Sequence, residues 1–127
     1  MANAVVLDAS AILAVLFNEM GSETVLPLLQ RSAVSAVNLA EVHAQLVGRG
    51  ADPDSTWSQL LELGCELCPF DEEQARMAGK LVQQARGGLS PGDRACLALA
   101  LQRSATVYTT DSAWNNLGLG IEVEVIR

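Results

Sequence analysis

Four acids in this sequence, Asp8, Glu41, Asp93 and Asp111, each stand where a short apolar or β-branched run gives way to a helical pattern. Asp8 follows "AVVL" and Asp111 follows "TVYTT", so each closes a strand-like run and precedes a helix start. Glu41 lies three residues past Asn38 and Asp93 three past Ser90, with Pro91 suited to a first helical position. Taken singly, each acid has a local explanation. Capping-box spacing, an N-cap role, and attraction to a helix dipole all favour a carboxylate there. Gathered in one cleft, four carboxylates repel, and without a counter-ion at least one has a raised pKa. A hard divalent cation relieves that repulsion, because Mg²⁺ or Mn²⁺ takes oxygen ligands and keeps several waters. Capping gives no reason to collect acids at one point, whereas metal chemistry does.

Collecting them is the task of the elements between. Strands are expected over Val5–Asp8, Val34–Val37, Glu66–Phe70, Thr106–Thr110 and Ile121–Ile126, and helices over the intervening stretches. The helical patterns cover Ala11–Phe17, Ser22–Gln30, Leu39–Val47, Pro53–Leu63, Glu72–Arg86 and Pro91–Arg103, with Gly87-Gly88 as a break. Strands alternating with helices imply βαβ units, and strands that are apolar without alternation imply burial on both faces. The expected architecture is α/β: one open, mainly parallel sheet of about five strands with helices on both faces. Each crossover helix then starts at the carboxyl edge of the sheet, where ligands bind, and neighbouring first and fourth strands would bring Asp8 beside Asp111.

Composition narrows the function classes. The chain's 127 residues suit one domain spanning 1–127, and half of them are hydrophobic, which argues against disorder. The apolar start, Ala4 to Phe17, is broken by Asp8 and Ser10, is too short to span a bilayer, and has no basic segment before it. A cytosolic protein with no membrane contact is expected. Three cysteines, Cys65, Cys68 and Cys96, make an odd count that disfavours a disulfide framework. Cys65-Glu66-Leu67-Cys68 has redox spacing but falls in a strand rather than at a helix start, and nothing in the spacing brings Cys96 or the sole histidine, His43, to it. These thiols read as structural, and His43 as an ordinary helix residue. The net charge of −7 gives no general footprint for nucleic acid; it suits a cation or a partner with a basic segment.

At these residues the sequence resembles the PIN-domain ribonucleases, and most of all the VapC toxins of toxin–antitoxin pairs. The resemblance rests on "VVLDASAIL", "SAVNLAEV", "GLSPGDRACLALA" and "VYTTDSAW", whose order and spacing span essentially the whole chain. It implies a PIN-like, Rossmann-like fold and Mg²⁺- or Mn²⁺-dependent hydrolysis of phosphodiester bonds in single-stranded or looped RNA. It also implies a homodimer restrained by a VapB-type antitoxin. The four family acids map onto Asp8, Glu41, Asp93 and Asp111. Asp8, Asp93 and Asp111 are expected as metal ligands, direct or through water, with Glu41 orienting or deprotonating the attacking water or serving as a further ligand. Ser10 and Thr109 match polar positions beside the metal site and would hold the carboxylates in place. Where some members carry another acid after the last one, this chain has Trp114, Asn115 and Asn116.

An acidic RNA enzyme needs positive charge near the phosphate, and the metal itself supplies some. Arg94 and Arg86 are candidates for flanking phosphates, against a reading of both as solvated helix ends. Trp114 could stack on a base or pack in the core. The apolar segments Ala11–Phe17 and Val25–Leu29 could form a groove for an antitoxin helix or plain core. Two other functions compete: a structure-specific DNA nuclease on the same scaffold, and a phospho-receiver module using Asp71 as acceptor and Lys80 as the pocket lysine.

Overall fold

The computed structural model of the chain describes residues 4–85 and 88–127. Five parallel strands, β1 (Val5–Leu7), β2 (Ser32–Ser35), β3 (Glu66–Cys68), β4 (Thr106–Thr109) and β5 (Val123–Val125), form one sheet in the order β3-β2-β1-β4-β5. Six helices accompany them among the described residues: α1 (Ala9–Leu16), α2 (Ser22–Val25), α3 (Ala36–Gly48), α4 (Pro53–Leu61), α5 (Glu72–Lys80) and α6 (Pro91–Arg103). Short 3₁₀ turns follow α2, α5 and β4. None of these helices is long and apolar enough to cross a membrane.

The strands are short and their successive side chains feed opposite faces. Val6, Ala33 and Val107 enter a core with α6 and Trp114, while Leu7 and Val34 enter a second core with α1, α3 and α4. β1 and β2, inside the sheet, are buried on both faces as the sequence reading expected, whereas the edge strands β3 and β5 keep exposed or half-buried residues. Helix α6 lies deepest: every residue from Ala95 to Ala100 is buried, so an almost uniformly apolar run is needed rather than a stripe. The chain proceeds outward from β1 through β2 to β3, then returns across to β4 and β5. β1 and β4 are therefore neighbours at a topological switch point, with Leu7 opposite Tyr108.

Several boundaries differ from the sequence reading; the last strand, expected over Ile121–Ile126, shortens to Val123–Val125, and three other differences have a local reason. The expected helix over Ser22–Gln30 divides at Pro27, which lacks an N–H, into α2 and a 3₁₀ segment, Leu26–Arg31. The pattern over Glu72–Arg86 leaves α-geometry after Lys80, and Arg86 and Gly87 lie outside the described residues. The strand expected over Val34–Val37 starts and ends earlier. Pairing of Val5 with Ser32 and of Ser35 with Cys68 fixes its register, and Ser35, not Asn38, caps α3 by accepting from the Val37 N–H at 3.2 Å. Glu41 consequently sits in the second turn of α3 rather than three residues past its cap.

Candidate active site

β1 and β4 end side by side, and each hands its chain to a capping aspartate. Asp8 caps α1 and Asp111 caps the 3₁₀ turn Ser112–Asn116, accepting from the Ala113 N–H at 3.0 Å. Ser90 and Asp93 form the full capping box of α6, with Asp93 N–H donating to Ser90 Oγ at 3.1 Å and Ser90 N–H to Asp93 Oδ2 at 3.0 Å. The capping explanation therefore holds for Asp8, Asp93 and Asp111 but not for Glu41, whose helix is capped by Ser35, and all four acids still converge. Asp8, Glu41, Asp93 and Asp111 all line one open cleft of about 400 Å³. No Lys or Arg among the described residues lines it.

Asp8 is the buried member of the four, 6% exposed. Its Oδ1 accepts from Ser10 Oγ at 2.6 Å and from the Ala11 N–H at 2.9 Å, and its Oδ2 accepts from Thr109 Oγ1 at 2.6 Å. Thr109 in turn accepts from the Asp111 N–H at 3.1 Å, and Ser10 Oγ accepts from the Thr110 N–H at 3.0 Å. The two hydroxyls thus lock the tip of β1 to the tip of β4 and hold one carboxylate between them. Burial raises the pKa of Asp8, opposed by the bonds from Ser10, Thr109 and Ala11, and the negative charge of Asp93 raises it further. The buried Cys96 thiol feels the same field. Desolvation pushes it well up, and Asp8, Asp93 and Glu41 each add to the shift, so three of the acids act on one spot.

Glu41 is placed by an amide and a missing side chain. Asn38 Nδ2 donates to Glu41 Oε1 at 2.9 Å and to the Gly92 carbonyl at 3.0 Å, which pins α3 to the first turn of α6. A Cβ on Gly92 would come within 2.6 Å of Glu41 Oε2, so only glycine leaves room for the carboxylate there. Asn38 Oδ1 is buried and has no hydrogen-bond partner among the described residues. The sequence reading missed Asn38 in this role by treating it as a cap; its spacing from Glu41, one helical turn, carried the signal. It also missed Gln45, which lines the cleft one turn further along α3.

The donor set is one of hard oxygens, which suits Mg²⁺ or Mn²⁺ rather than a soft metal. Among the described residues no three His, Cys, Asp or Glu side chains make a ready-built ion cage. Asp8 Oδ2 takes a single donor and Glu41 Oε2 takes none, so these oxygens fit an ion that fills its remaining positions with water.

Other candidates fall elsewhere. Arg94 turns from the cleft and donates from Nη1 to the Ala78 carbonyl of α5 at 3.4 Å, with its Nε buried and unpartnered. Arg86 lies outside the described residues. Trp114 is 2% exposed and belongs to the core. His43 contacts the Pro53 carbonyl at 2.8 Å and meets Trp57 edge-on, tying α3 to α4. The three cysteines are free, with burial raising each thiol, that of Cys65 to about 11. Asp71 and Lys80 do not assemble a phospho-receiver pocket. Asp71 follows the edge strand β3, and Lys80 lines a separate cavity with Met77 and Leu101.

Solved structures share this architecture, a toxin–antitoxin complex and a member of a toxin–antitoxin family among them. One from Klebsiella pneumoniae superposes with a TM-score of 0.77 at 15% identity, covering 97% of this chain and 98% of that one. FitAcB from Neisseria gonorrhoeae gives a TM-score of 0.72 at 24% identity, covering 94% and 95%. VapBC-5 from Mycobacterium tuberculosis gives 0.60 at 27% identity, covering 98% of each chain. None of the curated protein sequences matches this chain. The family model described as PIN domain matches residues 5–119, a span that contains all four cleft acids. With the sheet order, the capped acids and that match in agreement, the chain belongs to the PIN-domain family.

Proposed function

We propose that this protein is a divalent-metal-dependent endoribonuclease, the VapC-like toxin of a toxin–antitoxin pair, acting on single-stranded or looped RNA. Nuclease activity is the general function of the PIN family, and its nucleases generally use divalent metals. One observation carries the reading for this chain: a buried aspartate held by two hydroxyls and an amide, in a cleft with three more acids and, among the described residues, no basic side chain to neutralise them.

In this reading Asp8, Asp93 and Asp111 would hold the cation, directly or through water. When bound, such an ion lowers the pKa of a coordinated water and offsets charge building on the phosphoryl oxygens. Ser10 and Thr109 fix the orientation of Asp8, so that its free lone pair faces the cleft rather than sampling rotamers. Asn38 engages Oε1 of Glu41 and leaves Oε2 to orient, or take a proton from, the attacking water.

Neighbouring structures of known architecture are toxin–antitoxin complexes, which supports a VapB-type antitoxin as partner. The acid cleft would receive a basic antitoxin segment. Most of Ala11–Phe17 and Val25–Leu29 is core, including Ala11, Ile12, Ala14, Val25 and Leu29, but Met20 and Leu26 are well exposed beside α2 and offer apolar surface to an antitoxin helix. A homodimer is part of the same proposal and rests on the sequence resemblance alone.

Purified protein incubated with matched single-stranded RNA and DNA in Mg²⁺ or Mn²⁺ tests the reading. RNA cleavage that disappears in EDTA, in Asp8→Asn and in Asp93→Asn, with circular dichroism unchanged, is the expected result. Preferential cutting of flapped DNA would replace it with the DNA-nuclease reading, and full activity in EDTA would overturn the metal mechanism.

A further inference from the structure

The acid cleft continues into a second pocket of about 200 Å³, and Ser10, Leu13, Gln45 and Thr110 line both. The far end of that pocket is lined by Phe17, Glu19, Arg49 and Arg127, a reversal of charge. Helix periodicity explains why the two ends communicate. Glu41, Gln45 and Arg49 recur every four residues along α3, and Ser10, Leu13 and Phe17 recur along α1, so each helix presents one stripe that starts beside the acids. Helices α1 and α3 pack against each other, and both stripes end at the C-caps of their helices, Phe17 and Arg49.

Both arginines are held in place. The Arg49 guanidinium lies over the Phe17 ring, 4.5 Å from its centroid, at the end of α3, where the helix dipole also favours a cation. Arg127 pairs through Nη2 with Glu19 Oε1 at 2.5 Å and reaches the Met20 carbonyl through Nε at 3.5 Å. The pocket is thus lined by two guanidiniums and one carboxylate, and Arg49 forms no salt bridge among the described residues. The span from Glu41 to Arg49 is about 12 Å along the helix, longer than one stacked nucleotide step of about 3.4 Å.

We infer that this pocket is a phosphate subsite: Arg49, braced on Phe17, and Arg127, braced on Glu19, bind a backbone phosphate of single-stranded RNA flanking the phosphate that is cut. A planar guanidinium fork matches phosphate oxygens and can also stack on a base, so the subsite fixes strand direction across the acid cleft. It also supplies the positive charge that a chain of net charge −7 otherwise lacks near its site. A basic protein segment is repelled here, which separates this pocket from the acidic cleft beside it.

The subsite rests on the nuclease reading for its substrate, and its test separates the two. Binding of a fluorescein-labelled single-stranded RNA is followed by anisotropy with the full chain carrying Asp93→Asn, across a salt series. Adding Arg49→Ala lowers affinity about tenfold and reduces the slope of log K against log salt by about 0.7, as for one lost single-strand phosphate contact. Adding Arg127→Ala as well removes a further increment of the same size, and Arg49→Lys restores part of the affinity. Arg76→Ala, on the exposed face of α5, leaves affinity and slope unchanged. In cleavage by the chain with Asp93 intact, Arg49→Ala raises KM more than it lowers kcat. If the chain cuts RNA while the arginine variants bind and cut like their parent, the subsite falls and the nuclease reading stands. If the arginines carry the salt slope while the chain cuts no RNA, the nuclease reading falls and the subsite stands. No measurable RNA binding, or an unchanged slope in the double variant, overturns the subsite.

Discussion

Asp8 and Asp71 perform the same local task and live in opposite surroundings. Each follows a strand, Asp8 directly and Asp71 after Pro69 and Phe70, caps the next helix, and accepts a hydrogen bond from an amide three residues on. Around Asp71 the protein answers its own acids. Gln102 Nε2 donates to Asp71 at 3.2 Å and to Glu73 at 2.9 Å, while Arg103 forks onto Glu66 with two bonds of 2.7 Å. The Gln74 amide and Gln102 hold Asp71 below its ordinary pKa at an exposed site. Around Asp8 no cation answers among the described residues: burial pushes its pKa up, and the negative charge of Asp93 pushes the same way. A carboxylate patch that the fold neutralises is structure. One left short of positive charge, yet rigidly held, is a place for something the chain does not itself supply.

Changes that disturb the held cluster should cost function before stability. Gly92→Ala puts a methyl group into the space of the Glu41 carboxylate, the mobile end of a long side chain, so Glu41 moves rather than the backbone. Activity should fall about 10- to 100-fold, the range for loss of an orienting contact, with Tm nearly unchanged in a thermal melt. Thr109→Val keeps the shape but removes the donor to Asp8 and the acceptor of the Asp111 N–H. Divalent-cation affinity, read by calorimetric titration, should fall about tenfold, with about 1–3 kcal/mol of stability lost to the orphaned amide.

The two capping aspartates should respond to the same substitution with opposite signs. The raised pKa of Asp8 means that the native state favours its protonated form. The stability this confers is complete below the ordinary value of 3.8 and is lost as pH rises through the native value. In metal-free protein at pH 7, Asp8→Asn should therefore raise Tm, and Asp71→Asn, which removes a charge the fold favours, should lower it. The smallest effect belongs to Arg103→Ala. Its fork to Glu66 is partly exposed, so chemical denaturation should register less than about 1 kcal/mol, and cleavage should not change.

Much of this arrangement was legible in linear order because short strands, capping residues and acids coincide in the sequence. Ser90-Pro91-Gly92-Asp93 specifies a helix start so completely that α6 begins and ends where the pattern says. What stayed hidden was set by long-range pairing. Either Ser35 or Asn38 could cap α3, and only the register of β2 against β1 and β3 decides between them. That decision frees Asn38 to hold Glu41 and Gly92 together. Arg94 sits beside a cleft acid in sequence but points into the α5 interface, because neighbours on a helix face different ways. Arg49, eight residues from Glu41, lies on the correct stripe and could have been found by extending the helix one turn.

Binding of Mn²⁺ to the full chain at pH 7, followed by calorimetry with a thermal melt in parallel, bears most directly on the acid cleft. Saturable binding that raises Tm in the parent protein, vanishes in Asp8→Asn and persists in Asp71→Asn is the expected result. Equal binding in parent and Asp8→Asn protein, or none in either, would contradict the claim that this held and unneutralised cluster exists to take a cation.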